Sequence, residues 1–301
     1  MSGQKKKLAV LMGGWTSEAE ISRLSGAYCA RAARELGWEV HELEFTRDVA
    51  ADLLALGPQL VFNALHGQIG EDGSTQGMLN ILNIPYTHSG VQASAMAMDK
   101  IASRRLFETV GISLPPLLEL AIDESVQPVD YSGAYVVKPR SDGSSVGVAL
   151  CHTDQPPRPR NHWPDGQELM GEVFIPGREL TVAVLEGKAL CVTEIIAATG
   201  FYDWQAKYAA GGSQHILPAE LPEAITDQAL DWAERAFSVL GCRGVARADY
   251  RYDDSSGQLF MLEINTQPGM TGTSLVPEQA AFVGMEGPEL VRRLLEGARC
   301  D

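Results

Sequence analysis

Apolar and polar positions along the chain change period several times, and the changes mark out elements. The run LAVLM at 8–12 is unbroken and is stopped by Gly13 and Gly14, which predicts a short buried strand. TSEAEISRLSGAYCARAARELG at 16–37 predicts a helix, with Ser17 and Glu20 spaced as a capping box and Gly37 as its stop. EVHELEF alternates as a strand does, and LVFNALHG at 60–67 is a further strand running into a Gly-rich loop. This strand–helix–strand rhythm predicts a parallel sheet in an α/β lobe, with binding groups at the carboxyl ends of its strands.

A helix containing Lys100 is predicted at about 91–110. Residues 115–133 carry several prolines and no clear period, so a connection is expected there. AYVVKP (134–139) and VGVAL (146–150) predict two strands around RSDGSS, and the Pro-rich stretch 152–166 predicts a loop with room for one short element. From 168 onward the pattern is mainly that of strands, with hairpin turns at EGK and DSSG and a helix at about 223–240. No internal repeat appears. The expected class is α/β with α+β character in three lobes, 1–88, 89–170 and 171–301. The first is built on a parallel sheet and the other two are mainly antiparallel.

The stretch LEINTQPGMT (262–271) sets polar groups in a strand. Phe260, Leu262 and Ile264 alternate with Met261, Glu263 and Asn265, so period 2 puts the acid and the amide on one face. In VARADYRY the same period puts Arg247, Asp249 and Arg251 together. Pairing through the DDSSG turn would bring Asp249 beside Glu263 and Asn265. Three hard oxygen donors suit Mg²⁺. A salt-bridged set with Arg247 and Arg251 explains the pattern equally well. Lys138, in a strand before the small residues of RSDGSSVG, suggests a phosphate contact, and Lys100 and Lys207 add point charges. A plain hairpin accounts for that loop as often. Neither G-x-x-x-x-G-K-[ST] nor G-x-G-x-x-G occurs.

Composition narrows the classes. At 301 residues, 45% apolar and 21% charged, the chain is long enough for a sizeable core. A net charge of -15 argues against a nucleic-acid partner, though not against a nucleotide held by metal and local lysines. The five cysteines, Cys29, Cys151, Cys191, Cys242 and Cys300, include no C-x-x-C and are expected as free thiols in the cytoplasm. KKKLAVLMGG has too short an apolar run for an export signal, and no stretch approaches a membrane span.

Eight stretches taken in order resemble the D-alanine–D-alanine ligases of the ATP-grasp superfamily. They are AVLMGGWTSEAEIS (9–22), ALHGQIGEDGSTQG (64–77), SGVQASAMAMDK (89–100), VVKPRSDGSSVGV (136–148), GRELTVAV (177–184), GFYDWQAKY (200–208), RADY (247–250) and LEINTQPGMTGTSLVP (262–277). The resemblance covers nearly the whole chain. It implies a three-lobed ATP-grasp fold with ATP gripped between the central and C-terminal lobes. It also implies a two-step reaction through an acyl phosphate, with D-alanine and ATP as small-molecule substrates.

By that resemblance Asp249, Glu263 and Asn265 are ligands of two Mg²⁺ ions, with Mn²⁺ able to substitute. Lys100, Lys138 and Lys207 are phosphate lysines, Glu172 lies near the adenine, Glu179 near the ribose, and Phe174 packs on the base. Glu18 holds the ammonium of the first D-alanine and forms a hydrogen-bonded link with Ser144 and Tyr208. Arg247 and the N–H of Gly269 stabilise the tetrahedral intermediate. Ser274 binds the carboxylate of the second D-alanine, and His66 stands beside the first. The family is often dimeric, so a homodimer is the expected assembly. Ala19 and Gln68 stand where the family commonly has Arg, and Asp142 where it has Glu, which bears on substrate choice more than on nucleotide binding. D-lactate, D-serine or another amino acid are the alternative acceptors, and a nucleotide-binding homologue without turnover is the non-enzymatic alternative. Tyr208 after Lys207 favours an amine acceptor.

Overall fold

The computed structural model describes residues 6–144, 146–197 and 212–301. Its first strands and helices alternate: β1 (Lys7–Met12), α1 (Ala19–Glu35), β2 (Glu39–Glu44), α2 (Val49–Leu56), β3 (Leu60–Asn63) and α3 (Ser74–Ile81). The sheet is parallel, in the order β2-β1-β3. Leu8 and Val10 pack with Ala30 and Ala33 of α1, while Ala9 and Leu11 pack with Leu53 and Leu79. Covering both faces of β1 is what makes its sequence a continuous apolar run.

The capping box expected at Ser17 and Glu20 does not form, because the chain turns one residue late. The Thr16 hydroxyl accepts the Glu18 amide at 3.3 Å, the Thr16 carbonyl accepts that of Ala19 at 3.2 Å, and Glu18 becomes the residue before the helix. The helix ends where expected, with Gly37 at φ +90°, a conformation that only glycine adopts without strain.

The single helix expected over 91–110 is two, α4 (Val91–Met98) and α5 (Lys100–Thr109). Asp99 separates them. It is extended, and its Oδ1 accepts the amides of Ile101 and Ala102 at 3.0 and 3.1 Å, which caps α5. The stretch expected as a connection contains β4 (Leu117–Leu118), β5 (Leu120–Ile122) and β6 (Ser125–Pro128), too short to show a period. β7 (Ala134–Pro139) stands as expected, whereas β8 (Ala149–His152) starts after VGV. With β9 (Arg158–Pro159) and β10 (Leu169–Val173) these form two antiparallel sheets, β4-β10-β7-β8 and β5-β6-β9.

The remaining sheet holds β11 (Arg178–Leu185), β12 (Lys188–Ala197) and β13 (Ser213–Ile216). After α6 (Glu223–Val239) come β14 (Val245–Asp253) and β15 (Gln258–Asn265), followed by α7 (Leu275–Phe282) and α8 (Gly287–Glu296). Its order is β13-β12-β11-β14-β15, antiparallel throughout. Leu180, Val182, Ala248 and Tyr250 form its core face against Ala233 and Ala236 of α6 and Phe107 of α5.

One register detail departs from simple alternation. Asp249 pairs with Glu263, but the next residue, Tyr250, pairs with Met261, leaving Leu262 as an extra residue in β15. This bulge reverses the phase of the strand. Glu263 and Asn265 share a face, as expected. Met261 does not share it, and is wholly buried in the core with Leu259. The class is the expected one, a mixed α/β chain with one parallel sheet and antiparallel sheets after it.

Candidate active site

The polar face of β14 and β15 brings Arg247, Asp249, Glu263 and Asn265 together, with Arg247 opposite Asn265 and Asp249 opposite Glu263. Both oxygens of Asp249 accept from Arg247, at 2.8 Å from Nε and 2.7 Å from Nη2, and Oδ1 also accepts from Thr181 Oγ1 at 2.7 Å. Lys100 Nζ lies 3.4 Å from Glu263 Oε2 and donates to the Asp142 carbonyl at 2.5 Å. The Asn265 Oδ1 accepts the Gln267 amide at 2.7 Å. Arg251 does not join this set. It bonds the carbonyls of Ile175 and Gly177 and lies 3.4 Å from Glu179. Of the two expected arginines, Arg247 takes part in a salt-bridged arrangement, and Lys100 pairs with Glu263 beside it.

The same face fits Mg²⁺. Among the described residues no three His, Cys, Asp or Glu side chains form a ready metal cage. Two opposed carboxylates and an amide on one strand face are hard donors that leave positions for water and phosphate, the usual manner of binding Mg²⁺. A cation there would compete with Arg247 for Asp249.

Between the two larger antiparallel sheets lies a narrow slot of about 100 Å³, lined by apolar Val136, Val148, Phe174 and Leu262 and by Lys138, Glu172 and Glu179. Lys138 and Glu172 share a face of the sheet because Met170 pairs with Lys138 and Glu172 with Val136. Both are buried, and Lys138 Nζ donates to Glu172 Oε1 at 2.6 Å. On the other side of Glu172, Arg104 Nη1 stands 3.4 Å from Oε2. The Arg251 guanidinium lies over the Phe174 ring, 5.5 Å from its centre.

Next to the slot opens a cleft of about 910 Å³, lined among others by Glu18, His66, Ser144, Arg247, Gly269 and Ser274. Glu18 is buried and accepts a hydrogen bond from Ser144 Oγ. Burial, reinforced by the nearby Glu71, pushes the Glu18 carboxyl up to about 7, against the opposing pull of Ser144 and His66. Gly67, at φ +71°, is required beside it, since a Cβ would collide with the Glu18 carboxylate. Ser144 has φ +51°, a strained conformation for a residue with a side chain.

His66 is held on both sides. Its Nδ1 faces the Gln267 carbonyl at 3.1 Å and Nε2 faces Ser25 Oγ at 3.0 Å. Ser274 precedes α7, and its Oγ accepts the Thr271 amide at 3.0 Å. A Cβ at Gly269 would come 3.0 Å from that same Oγ, so only a bare backbone approaches Ser274 comfortably here. Slot and cleft meet at Lys100, Asp142, Gly143 and Glu263, which line both.

Lys207 and Tyr208 lie outside the described residues. Gln68 is exposed, while the Asp142 side chain accepts from Gln167 at 3.3 Å. Three participants were not legible beforehand. Glu71 accepts the Gly67 amide at 3.0 Å, Gln267 bonds the Asn63 carbonyl, and Arg104 flanks Glu172. An acid four residues after Gly67 within HGQIGEDG was the only available signal for any of them.

A family model described as D-ala D-ala ligase C-terminus matches residues 119–296. Over 98% of this chain and 99% of the other, the sequence is 50% identical to a D-alanine–D-alanine ligase of Paramagnetospirillum magneticum. It is 48% identical to that of Acidiphilium cryptum at the same coverage. The fold is similar to a crystal structure of the D-alanine–D-alanine ligase of Bacillus anthracis complexed with ATP, with TM-score 0.80, 26% identity and 97% of each chain covered.

Proposed function

The chain belongs to the D-alanine–D-alanine ligase family, and on that footing we propose how its cleft and slot divide the work of the reaction. It is an ATP-dependent ligase that joins two D-alanines for peptidoglycan precursor synthesis. The carboxylate of the first D-alanine attacks the γ-phosphoryl group of ATP. The amine of the second attacks the resulting acyl phosphate, and phosphate leaves.

In this reading the cleft takes the amino acids. Glu18, braced by Ser144, receives the first ammonium, with His66 alongside and Tyr208 as the remaining proposed member of that link. Arg247 and the Gly269 N–H face the oxyanion of the tetrahedral intermediate, where fixed donors lower the barrier most. Ser274 receives the second carboxylate. The slot takes the nucleotide, with Phe174 on the base, Glu172 accepting from adenine and Glu179 from the ribose. Lys100, Lys138 and Lys207 serve the phosphates. Asp249, Glu263 and Asn265 would hold Mg²⁺, which when bound would neutralise phosphate charge.

The observation that carries this assignment is the junction of slot and cleft at Lys100 and Glu263, beside Arg247 and Asp249. A triphosphate entering from one side and a carboxylate from the other would meet there, as in-line transfer requires. Phosphate release from MgATP is the test, measured with D-alanine, with L-amino acids, and with D-alanine plus D-lactate or D-serine. Release dependent on D-alanine alone, with dipeptide formed, supports the reading. Release only with another pair reassigns the acceptor, and nucleotide binding without release removes the ligase.

Among the described residues no helix is long and apolar enough to cross a membrane. With five free thiols and ATP as substrate, the cytoplasm is the proposed location. A homodimer, proposed from the habit of the family, is tested by sedimentation velocity. The lobes 1–88, 89–170 and 171–301 are proposed as well. The separation of the parallel sheet from the antiparallel ones supports the first boundary; the second falls inside β10, which belongs to the sheet of β7, and limited proteolysis checks both.

A further inference from the structure

We propose that Arg104 is a positioning residue of the nucleotide slot: it is the standing counter-ion that holds Glu172 in place when ATP draws Lys138 away, and so lets the slot choose a 6-amino purine over a 6-oxo purine. This rests on the reading of the slot as the nucleotide site.

Glu172 is 3% exposed and has two cationic neighbours, Lys138 at 2.6 Å on Oε1 and Arg104 at 3.4 Å on Oε2. In the slot reading Lys138 turns from Glu172 toward a phosphate when ATP enters. Its flexible stem suits it to move, as a lysine point charge does. Arg104 is built to stay. It is 4% exposed, and its Nη2 donates to the carbonyl of Pro115, a residue of the slot wall. It also has donor capacity in hand, because its Nε is buried without a partner. A buried group of that kind calls for an explanation. Here the 3.4 Å gap and the unused donor allow the guanidinium to tighten on Glu172 once Lys138 departs.

Without Arg104, that departure would leave a buried carboxylate with no counter-ion, a costly arrangement that the side chain relieves by leaving its place. The consequence is recognition. A carboxylate held at the slot wall presents acceptors to the base, which complements the 6-amino group of adenine and repels the 6-oxo group of hypoxanthine. Sites that commit buried polar groups in this way discriminate strongly.

The test uses the full chain and steady-state phosphate release at saturating D-alanine, with ATP and ITP compared for the wild type, Arg104→Met and Arg104→Lys. Thermal melts of all three proteins accompany the kinetics. The wild type prefers ATP. Arg104→Met raises the KM for ATP about tenfold, more than it changes kcat or the KM for D-alanine, and lowers the ATP-over-ITP preference by a similar factor. Arg104→Lys recovers most of both. The proposal is overturned if Arg104→Met melts like the wild type and keeps its KM for ATP and its preference. It is equally overturned if every kinetic constant falls together with the preference untouched, the mark of a merely structural residue. Should Arg104→Met not fold, Arg104→Gln decides: an uncharged amide in place of the guanidinium lowers the preference about threefold, and an unchanged preference refutes the role. A wild type that uses ATP and ITP alike overturns the slot reading itself, in the unmutated protein, and this proposal with it.

Discussion

Arg247 and Asp249 are locked together on one face of β14, two residues apart and joined by hydrogen bonds of 2.8 and 2.7 Å. The guanidinium assigned to the oxyanion and the carboxylate assigned to Mg²⁺ are therefore each other's counter-ion before substrates bind. On the proposed assignment, occupying the metal site would release the guanidinium toward the cleft.

Truncating Arg247 therefore removes a donor and frees a carboxylate at once. Arg247→Ala is expected to lower kcat by about two to three orders of magnitude, as the loss of an oxyanion donor does. The KM for ATP should change by only a few fold, because Arg247 lines the cleft and not the slot. Stopped-flow or coupled phosphate assays check both, and unchanged turnover would take Arg247 out of the mechanism.

Much of this site was legible in the sequence, and what was missed has identifiable causes. The pairing of Asp249 with Glu263 follows from period 2 and a short turn, both local properties. The side of the strand on which Met261 lies does not, because the bulge at Leu262 shows only when β15 is laid against β14. The break at Asp99 was hidden for a related reason. Residues 91–98 and 100–109 are each helical in pattern, and the break shows in the extended Asp99, which accepts bonds from Ile101, Ala102 and Arg140. Arg104 carries no signal at all in the sequence, since its meaning comes from Glu172, 68 residues away. The strands within 117–128 escaped because two to four residues are too few to display alternation.

Glu18 gives a pH dependence with a definite sign. Its carboxyl titrates near 4.5 when unperturbed and at about 7 in the fold, chiefly through burial and Glu71. Between those values the folded protein holds a proton that the unfolded chain has lost, so stability falls as pH rises from about 4.5 to about 7 and is level above. Glu18→Gln should raise the melting temperature of the free enzyme at pH 8, by an amount equivalent to at most about 3 kcal/mol, and leave it unchanged near pH 4. Recognition runs the other way. An ammonium requires the ionised form, so kcat/KM for D-alanine should climb through pH 7 in the wild type and be low and flat in Glu18→Gln. A wild-type profile already flat from pH 6 to 8 would contradict this.

Metal removal separates the oxygen donors from their structural role. Excess EDTA should abolish phosphate release and restored Mg²⁺ should recover it. Glu263→Gln should raise the Mg²⁺ concentration for half-maximal rate about tenfold or more, since an amide replaces a charged hard ligand. Calorimetry of ATP binding with and without Mg²⁺ gives a readout independent of turnover. The metal enhancement of binding should shrink in Glu263→Gln while binding of metal-free nucleotide is kept.

Gln279 ties α7, the helix that Ser274 opens, to the sheet. It is fully buried in α7, its Oε1 accepts the Ala183 amide at 2.8 Å, and its Nε2 donates to the Thr181 carbonyl at 3.2 Å and to Thr193 Oγ1 at 3.0 Å. Ala183 sits where β11 and β12 lose register between Val182 and Val184, so its N–H has no cross-strand partner there and depends on this amide. Gln279→Leu keeps the volume but leaves Ala183 and Thr193 unsatisfied, at a cost of about 2–4 kcal/mol. Denaturant unfolding should show a lowered midpoint with an unchanged slope. Because Ser274 opens the same helix, the KM for the second D-alanine should rise more than the KM for ATP. Equal changes in the two would mean that α7 acts only as general scaffold.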